Sequence, residues 1–153
     1  MKKVVLLIFS ALLILASLSS CKEVKIPDAS VAADTLFELD IYEDILTQAD
    51  KDVALVIYGI ENEWVSDCCV YFSTTATAEE IAVFTAADKT AADEIYKCLS
   101  SRVEGQKALY KTYRPAEVTK LDNCVLLQKG VTVILCVSAD SAASQQAADK
   151  LFG

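Results

Sequence analysis

The fold is decided by residues 69–113, which read CVYFSTTATAEEIAVFTAADKTAADEIYKCLSSRVEGQKALYKTY. The stretch opens with two runs rich in strand-forming residues, 69–74 and 80–85, separated by the short loop 75–79. This pattern predicts an antiparallel pair of strands.

A long helix is predicted directly after this pair. It starts at Asp88 or Thr90, either of which can cap a helix, and runs to about Tyr113. Gly105 interrupts it at a cost of roughly 1 kcal/mol relative to alanine, and Pro115 ends it because the residue before a proline disfavours helix. Apolar positions recur every three or four residues and predict one buried stripe: Ala91, Ala92, Ile95, Leu99, Val103 and Tyr110.

A second hairpin is predicted from residues 125–127 and 131–135. They flank residues 129–130, where glycine supplies the positive φ of a tight turn. A two-residue turn there places Cys124 and Cys136 on different sides of the sheet, whereas one extra loop residue places them opposite each other. The register therefore decides whether a disulfide between them is geometrically allowed.

The N-terminal flank of the domain is less sharply defined. A first helix is expected from Asp34 or Asp40 to near Gln48. The apolar run 53–60 fits either a strand or a buried helical turn, because periodicity cannot separate the two over so short a segment.

A closing helix, capped by Asp140 or Ser141, completes the predicted fold. Its inward positions are Ala143, Ala147, Leu151 and Phe152. We predict a single α+β domain over residues 33–153. Its antiparallel sheet is built from two hairpins separated by a long helix, with N- and C-terminal helices packed on it.

The N-terminus has the features of a secretory signal. Residues 2–3 are lysines, and the apolar run 4–18 rises only about 22 Å as a helix, short of the ~30 Å hydrocarbon core. The run ends in Leu18-Ser19-Ser20-Cys21, which resembles the lipobox of bacterial lipoproteins. The resemblance implies a signal peptide over residues 1–20 and a diacylglyceryl group on Cys21. A plain signal peptide, with Cys21 near the cut by chance, is the alternative.

Residues 21–32 are predicted to be the lipidated cysteine and a short tether. The expected location is the cell membrane, with the protein lipid-anchored at the extracytoplasmic face; which membrane, in a host with two, stays open. Without the signal peptide, 12 basic residues (14 less two lysines) stand against 22 acidic ones, a net charge of −10. An acidic chain without a basic cluster predicts no nucleic-acid partner.

The chain contains no histidine. This removes the commonest general base and metal ligand, and with them every Ser-His or Cys-His dyad. No cysteine has metal-ligand spacing, and no glycine-rich phosphate loop is present in the sequence. Although carboxylate pairs and Ser-Lys chemistry stay open, we expect no enzyme, no metal and no cofactor.

Five cysteines follow the lipidation site, at Cys68, Cys69, Cys98, Cys124 and Cys136. Extracytoplasmic cysteines often pair, but an odd number leaves at least one thiol free or paired between molecules. We favour buried free thiols over one or two structural disulfides, and redox catalysis comes last.

A family resemblance rests on residues 78–84, then Arg102 with Gln106 one turn later, then residues 113–115. These positions, together with residues 58–60 and the Gly130 hairpin, resemble clostridial lipoproteins catalogued as domain of unknown function 4358. The resemblance covers most of the chain from about Tyr58 onward, through scattered positions. It implies an envelope protein of an anaerobic Firmicute with no assigned activity, and it transfers no catalytic residue.

A candidate site is formed by Glu80, Arg102, Gln106 and Tyr113. Arg102 and Gln106 share one helix face beside the apolar stripe, and a partly buried arginine needs a carboxylate partner, for which we favour Glu80. The favoured interpretation is a structural ion pair between helix and sheet, and the alternative is a polar pocket in which Arg102 binds an anion bidentately. Tyr110 and Tyr113 either line a groove or cover the core.

Two further features carry competing interpretations. Trp64, in a polar loop, is either a partner contact or a lid over the core. The acidic pairs 79–80 and 93–94 are interpreted as a solvated sheet edge and a helix surface, because sequence neighbours do not face one substrate together.

These observations predict a membrane-anchored lipoprotein that acts as a non-enzymatic module binding a protein partner or an envelope component. The alternative is a small-molecule or ion-binding lipoprotein with a polar pocket around Arg102. A partner-binding module predicts an exposed apolar patch, for which the neighbourhood of Trp64 is the expected place, and a ligand binder predicts a concave pocket.

Overall fold

The chain folds around one antiparallel sheet. A computed structural model describes residues 26–74 and 76–153, so the predicted signal peptide, Cys21 and the first part of the tether lie outside the described residues. The strands are β1 (Thr47–Gln48), β2 (Val65–Phe72), β3 (Glu80–Ala86), β4 (Val125–Lys129) and β5 (Thr132–Val137). Their order in the sheet is β1-β2-β3-β5-β4, and every neighbouring pair is antiparallel.

Helices cover both faces of the sheet. They are α1 (Ala29–Phe37), α2 (Lys51–Tyr58), α3 (Lys89–Tyr113), α4 (Ala116–Asp122) and α5 (Ser141–Phe152), with a 3₁₀ turn at Asn62–Trp64. One core cluster joins one sheet face to α2, α3 and α4, and the other joins the opposite face to α1 and α5. The predicted α+β class is therefore confirmed.

Strand β3 lies at the centre of this arrangement. Ala82 and Phe84 belong to the first cluster, and Ile81 and Val83 belong to the second. Because side chains of a strand alternate between faces, a strand covered on both sides is apolar at every inward position. This is why the run that begins at Glu80 is almost continuously apolar.

Both predicted hairpins are present, and the second has a different turn. Lys129 pairs with Thr132, so the turn residues are 130–131 instead of the predicted 129–130. Val125 then lies opposite Cys136, and Cys124 packs on the other face of the sheet. The register therefore keeps the two cysteines apart.

The long helix α3 follows its prediction closely. The Asp88 carboxylate caps it by accepting a hydrogen bond from the Ala91 amide at 2.8 Å. All six apolar stripe residues are buried. Pro115 ends α3 as predicted, but it also starts α4, which was not predicted.

The predicted first helix is wrong in its limits. Helix α1 begins at Ala29, so residues 29–32 of the predicted tether form its first turns, and the helix ends at Phe37. Gln48 lies in strand β1, which was not predicted. The ambiguous run 53–60 is mostly helical: α2 ends at Tyr58 and is followed by Gly59, whose φ of +67° suits glycine.

The closing helix α5 is capped by Asp140 as expected. Ala147 and Phe152 are buried as predicted, whereas Ala143 and Leu151 are only partly buried. Within the described residues, no helix is both long enough and apolar enough to cross a membrane.

Candidate functional site

A cleft of about 370 Å³ opens between the C-terminal part of α3 and the loop that joins β2 to β3. Its walls include Phe72 at the end of β2, Glu80 at the start of β3, and Arg102 and Gln106 on α3. Tyr113 lies at the end of the same helix and also lines the cleft. The structure thus brings together all four residues of the predicted Arg102 site.

The floor of the cleft holds the predicted ion pair. Arg102 donates to a single oxygen of Glu80, Oε2, from Nη2 at 2.9 Å and from Nε at 3.3 Å. The Glu80 side chain is 2% exposed and the Arg102 side chain 24% exposed. Burial raises the pKa of Glu80, and the nearby guanidinium opposes this rise without cancelling it. The pKa of Arg102 is raised, since the effect of Glu80 outweighs the lowering by burial.

Two aromatic rings, Tyr58 and Phe72, lie together on one side of the guanidinium. Its central carbon lies 5.7 Å from the ring centroids of both Tyr58 and Phe72, within the range of cation–π attraction. The two rings stack on each other with centroids 5.6 Å apart. Arg102 is therefore held by an anion below and by π faces beside it, which fixes the plane of its donors.

Two buried polar atoms at this pair complete no hydrogen bond among the described residues. They are Glu80 Oε1 and the Tyr58 hydroxyl. Burial, and next the charge of Glu80, raise the pKa of Tyr58 well above its ordinary value, so its hydroxyl keeps its proton. The Tyr58 hydroxyl nevertheless lies close enough to Glu80 to oppose the rise in the pKa of that carboxyl, so these two buried groups interact with each other.

The rim of the cleft is apolar and exposed. Ile57 on α2 is 40% exposed, and Leu109 and Tyr113 on α3 are 55% and 54% exposed. Tyr113 packs on Tyr110 with ring centroids 5.0 Å apart, and the buried Tyr110 donates from its hydroxyl to the carbonyl of Thr77. Of the two tyrosines expected either to line a groove or to cover the core, Tyr110 is buried in the core beside the cleft and Tyr113 lines the cleft and is exposed.

A second polar cluster, not foreseen from the sequence, holds the loop beside the cleft. Glu79 is fully buried and accepts hydrogen bonds at 3.0 Å from the backbone amides of Glu43 and Asp44. Lys120 lies 3.1 Å from Glu79, 2.8 Å from Glu43 and 3.3 Å from Glu117. The pKa of Lys120 is raised, because these carboxylates outweigh the lowering by burial.

The interpretation of the acidic pair 79–80 as a solvated edge is therefore wrong. Both carboxylates are buried and paired with cations from α3 and α4. The partners lie 22 and 41 positions away, and no local pattern reveals them. The pair 93–94 lies on the helix surface as expected.

Trp64 lies outside the cleft. It is partly buried and packs against the first core cluster, and its carbonyl accepts a hydrogen bond from Ala87 at 2.8 Å. These contacts are those of a lid over the core.

All five described cysteines are free thiols. Cys69 and Cys136 are buried and the other three partly buried. Burial is the largest cause of a raised pKa at each of the five, which lowers their reactivity as nucleophiles. This agrees with the favoured expectation of free thiols over structural disulfides.

Comparison with known proteins gives one match. A family described as Domain of unknown function (DUF4358) matches residues 39–138, which is more than half of the chain. The matched range includes both hairpins, helices α2 to α4 and every residue of the cleft named above. No curated protein and no solved structure shows a significant match.

Proposed function

The chain belongs to the DUF4358 family of domains of unknown function, and we propose that it is a membrane-anchored lipoprotein with a non-enzymatic binding domain. Lipid on Cys21 holds it at the extracytoplasmic face of the cell membrane. The domain binds a protein partner or another envelope component through the cleft beside α3. The lipobox-like sequence before Cys21 supports the anchor, and the cleft supports the binding role.

One observation carries the binding role: exposed apolar side chains surround a polar floor. Ile57, Leu109 and Tyr113 are all large and well exposed, yet they line one concave surface. Val53 and Val56, on the same helix as Ile57, are also exposed and enlarge the apolar surface of α2. Contiguous exposed apolar surface rimming a pocket is typical of a binding site. We therefore place the partner surface at α2 and α3 instead of at Trp64.

A clostridial origin is also part of the proposal. The family resemblance implies an anaerobic Firmicute host, in which thiols outside the cytoplasm escape oxidation. Five free cysteines in one exported domain fit such a host, since extracytoplasmic cysteines elsewhere usually pair.

A small-molecule ligand is the second candidate, favoured by the state of Arg102. The guanidinium lines the cleft, and only two of its five N–H groups are bonded among the described residues. Such a donor surface suits a compact anionic ligand as well as a side chain or terminus of a protein.

The experiment is chemical cross-linking in intact cells, followed by capture of the lipidated protein and mass spectrometry. We expect one abundant partner whose capture is lost in Leu109→Glu and retained in Val31→Glu. Val31 is the matched control because it is 53% exposed on α1, the helix that packs on the opposite sheet face. Equal capture by both variants would contradict a role for the cleft.

The anchor is tested separately with Cys21→Ala. We expect this variant to leave the membrane fraction in a high-salt wash, because a diacyl group contributes about 0.8 kcal/mol for each buried CH₂. Retention of the variant in the membrane after that wash would refute the lipid anchor.

A further inference from the structure

We propose that the cleft recognises a carboxylate attached to an apolar body, with Arg102 binding the carboxylate and the rim covering the apolar part. This inference rests on the proposed function, since it takes the cleft as the binding surface. It adds the chemical class of the ligand. The carboxylate belongs either to a free organic acid or to the C-terminus of a peptide with an apolar last residue.

The first step concerns the N–H groups of Arg102 that do not donate to Glu80. Nε and Nη2 both donate to the same Glu80 oxygen, so the side edge of the guanidinium is occupied. Three N–H groups, two on Nη1 and one on Nη2, form no hydrogen bond among the described residues. The end edge presents one N–H from each terminal nitrogen, and two parallel N–H groups match the two oxygens of a carboxylate.

The second step concerns the charge that a ligand meets. Although the chain is acidic overall, Glu79 and Glu80 are closed off from solvent, while Arg102 is reachable. Glu79 is also paired with Lys120. An incoming group therefore meets a cation in the cleft, and the Glu80 carboxylate behind it holds that cation in place.

The third step is preorganisation. Glu80 bonds the guanidinium and the stacked rings of Tyr58 and Phe72 lie on one side of it, so less side-chain freedom remains to be lost when a ligand binds.

The fourth step concerns the rest of the ligand. The exposed rim residues Ile57, Leu109 and Tyr113 offer apolar contact directly beside the donors. A volume of about 370 Å³ lies at the lower end of the range for small-molecule pockets. It suits a small aryl or alkyl acid, or the last one or two residues of a peptide.

The test is calorimetric titration of the full lipidated protein in nanodiscs, with empty nanodiscs as the blank. The probes are 3-phenylpropionate with its amide, and a hexapeptide ending in leucine with a free or an amidated C-terminus. We expect each acid to bind at least tenfold more tightly than its amide. The acid that binds more tightly, peptide or free, identifies the source of the carboxylate.

Three variants locate the binding. Leu109→Glu places a like charge at the rim and should weaken acid binding at least tenfold, while Val31→Glu should leave it unchanged. Arg102→Lys keeps the charge but loses the paired donors, so most of the preference for acid over amide should disappear.

The results separate this inference from the function on which it rests. Equal binding of acid and amide, lost in Leu109→Glu, overturns carboxylate recognition and leaves the cleft as a binding site. No binding of any probe overturns carboxylate recognition as well, and the cross-linking comparison of the same two variants then decides the binding role. Acid binding that survives Leu109→Glu overturns the placement in the cleft.

Discussion

Replacement of Arg102 by methionine tests the buried ion pair most directly. Methionine keeps much of the apolar stem but removes the cation, so Glu80 is left 2% exposed without a charged partner. A buried charge that loses its partner is strongly destabilising, typically by about 3–5 kcal/mol. Glu80 can escape this cost by taking up a proton.

The proton limits the size of the effect. Keeping a carboxyl group protonated in the folded state lowers the free energy of unfolding by about 1.36 kcal/mol for each pH unit above its ordinary pKa of 4.5. The loss in unfolding free energy is therefore at most about 3.4 kcal/mol at pH 7 and about 0.7 kcal/mol at pH 5.

The sign follows from linkage. The pKa of Glu80 is already raised in the folded protein, so the folded state holds this proton more tightly than the unfolded state does. Stability from this group is highest below pH 4.5 and falls as the pH rises through the folded pKa. Without Arg102 the folded pKa rises further, and the fall extends toward neutral pH.

The assay is urea unfolding of the chain without residues 1–21, monitored by circular dichroism at pH 5 and at pH 7. The control is the double variant Glu80→Gln with Arg102→Met, which removes both charges. We expect the control to lie within about 1.5 kcal/mol of the parent protein at both pH values. An equal loss at pH 5 and pH 7 in the single variant would refute the reasoning, since it would identify lost packing as the cause.

Three further predictions concern the rest of the fold. Lys120→Met should lower the unfolding free energy by about 3 kcal/mol because it leaves the buried Glu79 without a cationic partner, and Lys120→Arg should restore most of the loss in urea unfolding. Gly130→Ala should destabilise the fold by about 1 kcal/mol because the φ of Gly130 is +60°. Gly105→Ala should stabilise the fold by about 0.5–1 kcal/mol, because this position lies inside α3 and an added methyl group meets open space. Melting temperatures of the two variants that shift in the same direction would contradict this prediction. In native protein Cys69 and Cys136 should resist iodoacetamide while the three partly buried thiols react slowly, as measured by mass spectrometry of peptides; fast labelling at Cys136 would refute the buried environment.

The parts of the fold that the sequence predicts well are determined by residues that lie close together in the chain. Helix α3 has a capping aspartate, a regular apolar stripe and a terminating proline, and each acts within a few residues. The strand pairs combine strand-forming residues with short connections, so neighbours in sequence pair in space. The type and order of these elements are therefore predictable and the limits of α3 are close to those observed, whereas β2 begins at Val65, four residues before the predicted run.

The elements that were missed are stabilised from a distance. Helix α1 is buried through Ala29, Ala32, Ala33 and Leu36, which have the i, i+3, i+4, i+7 spacing of a helix face, but three of the four are alanines whose small side chains give a weak apolar signal. Helix α4 follows Pro115, which signals the end of one helix and is equally able to start the next.

The candidate site shows the same division. Arg102 and Gln106 share a helix face by simple spacing, so their proximity was predictable. The burial of Glu79 was not, because its partners come from the loop before β1 and from α4. Two carboxylates that are adjacent in a sequence are usually exposed to solvent. Here both are buried because the fold brings a cation to each of them from a distant part of the chain.

The second polar cluster also explains how the cleft keeps its shape. The loop between β2 and β3 is tied to α4 by the hydrogen bond from the Ala78 amide to Glu117 at 2.9 Å. It is tied to α3 by the bond from the Tyr110 hydroxyl to Thr77, and Arg114 donates to the carbonyl of Ala76. The wall of the cleft is thus fixed from two helices, independently of the ion pair on its floor.

The extent of the family match bears on where a function common to the family lies. Residues 39–138 contain the cleft, its rim and the polar cluster that holds its wall, whereas α1 and α5 fall outside. The groove between those two helices, lined by Leu39, Ala147 and Leu151 among others, is formed mostly by unmatched residues. The cleft therefore lies wholly within the part of the chain that the family model matches, whereas the groove between α1 and α5 lies mostly outside it.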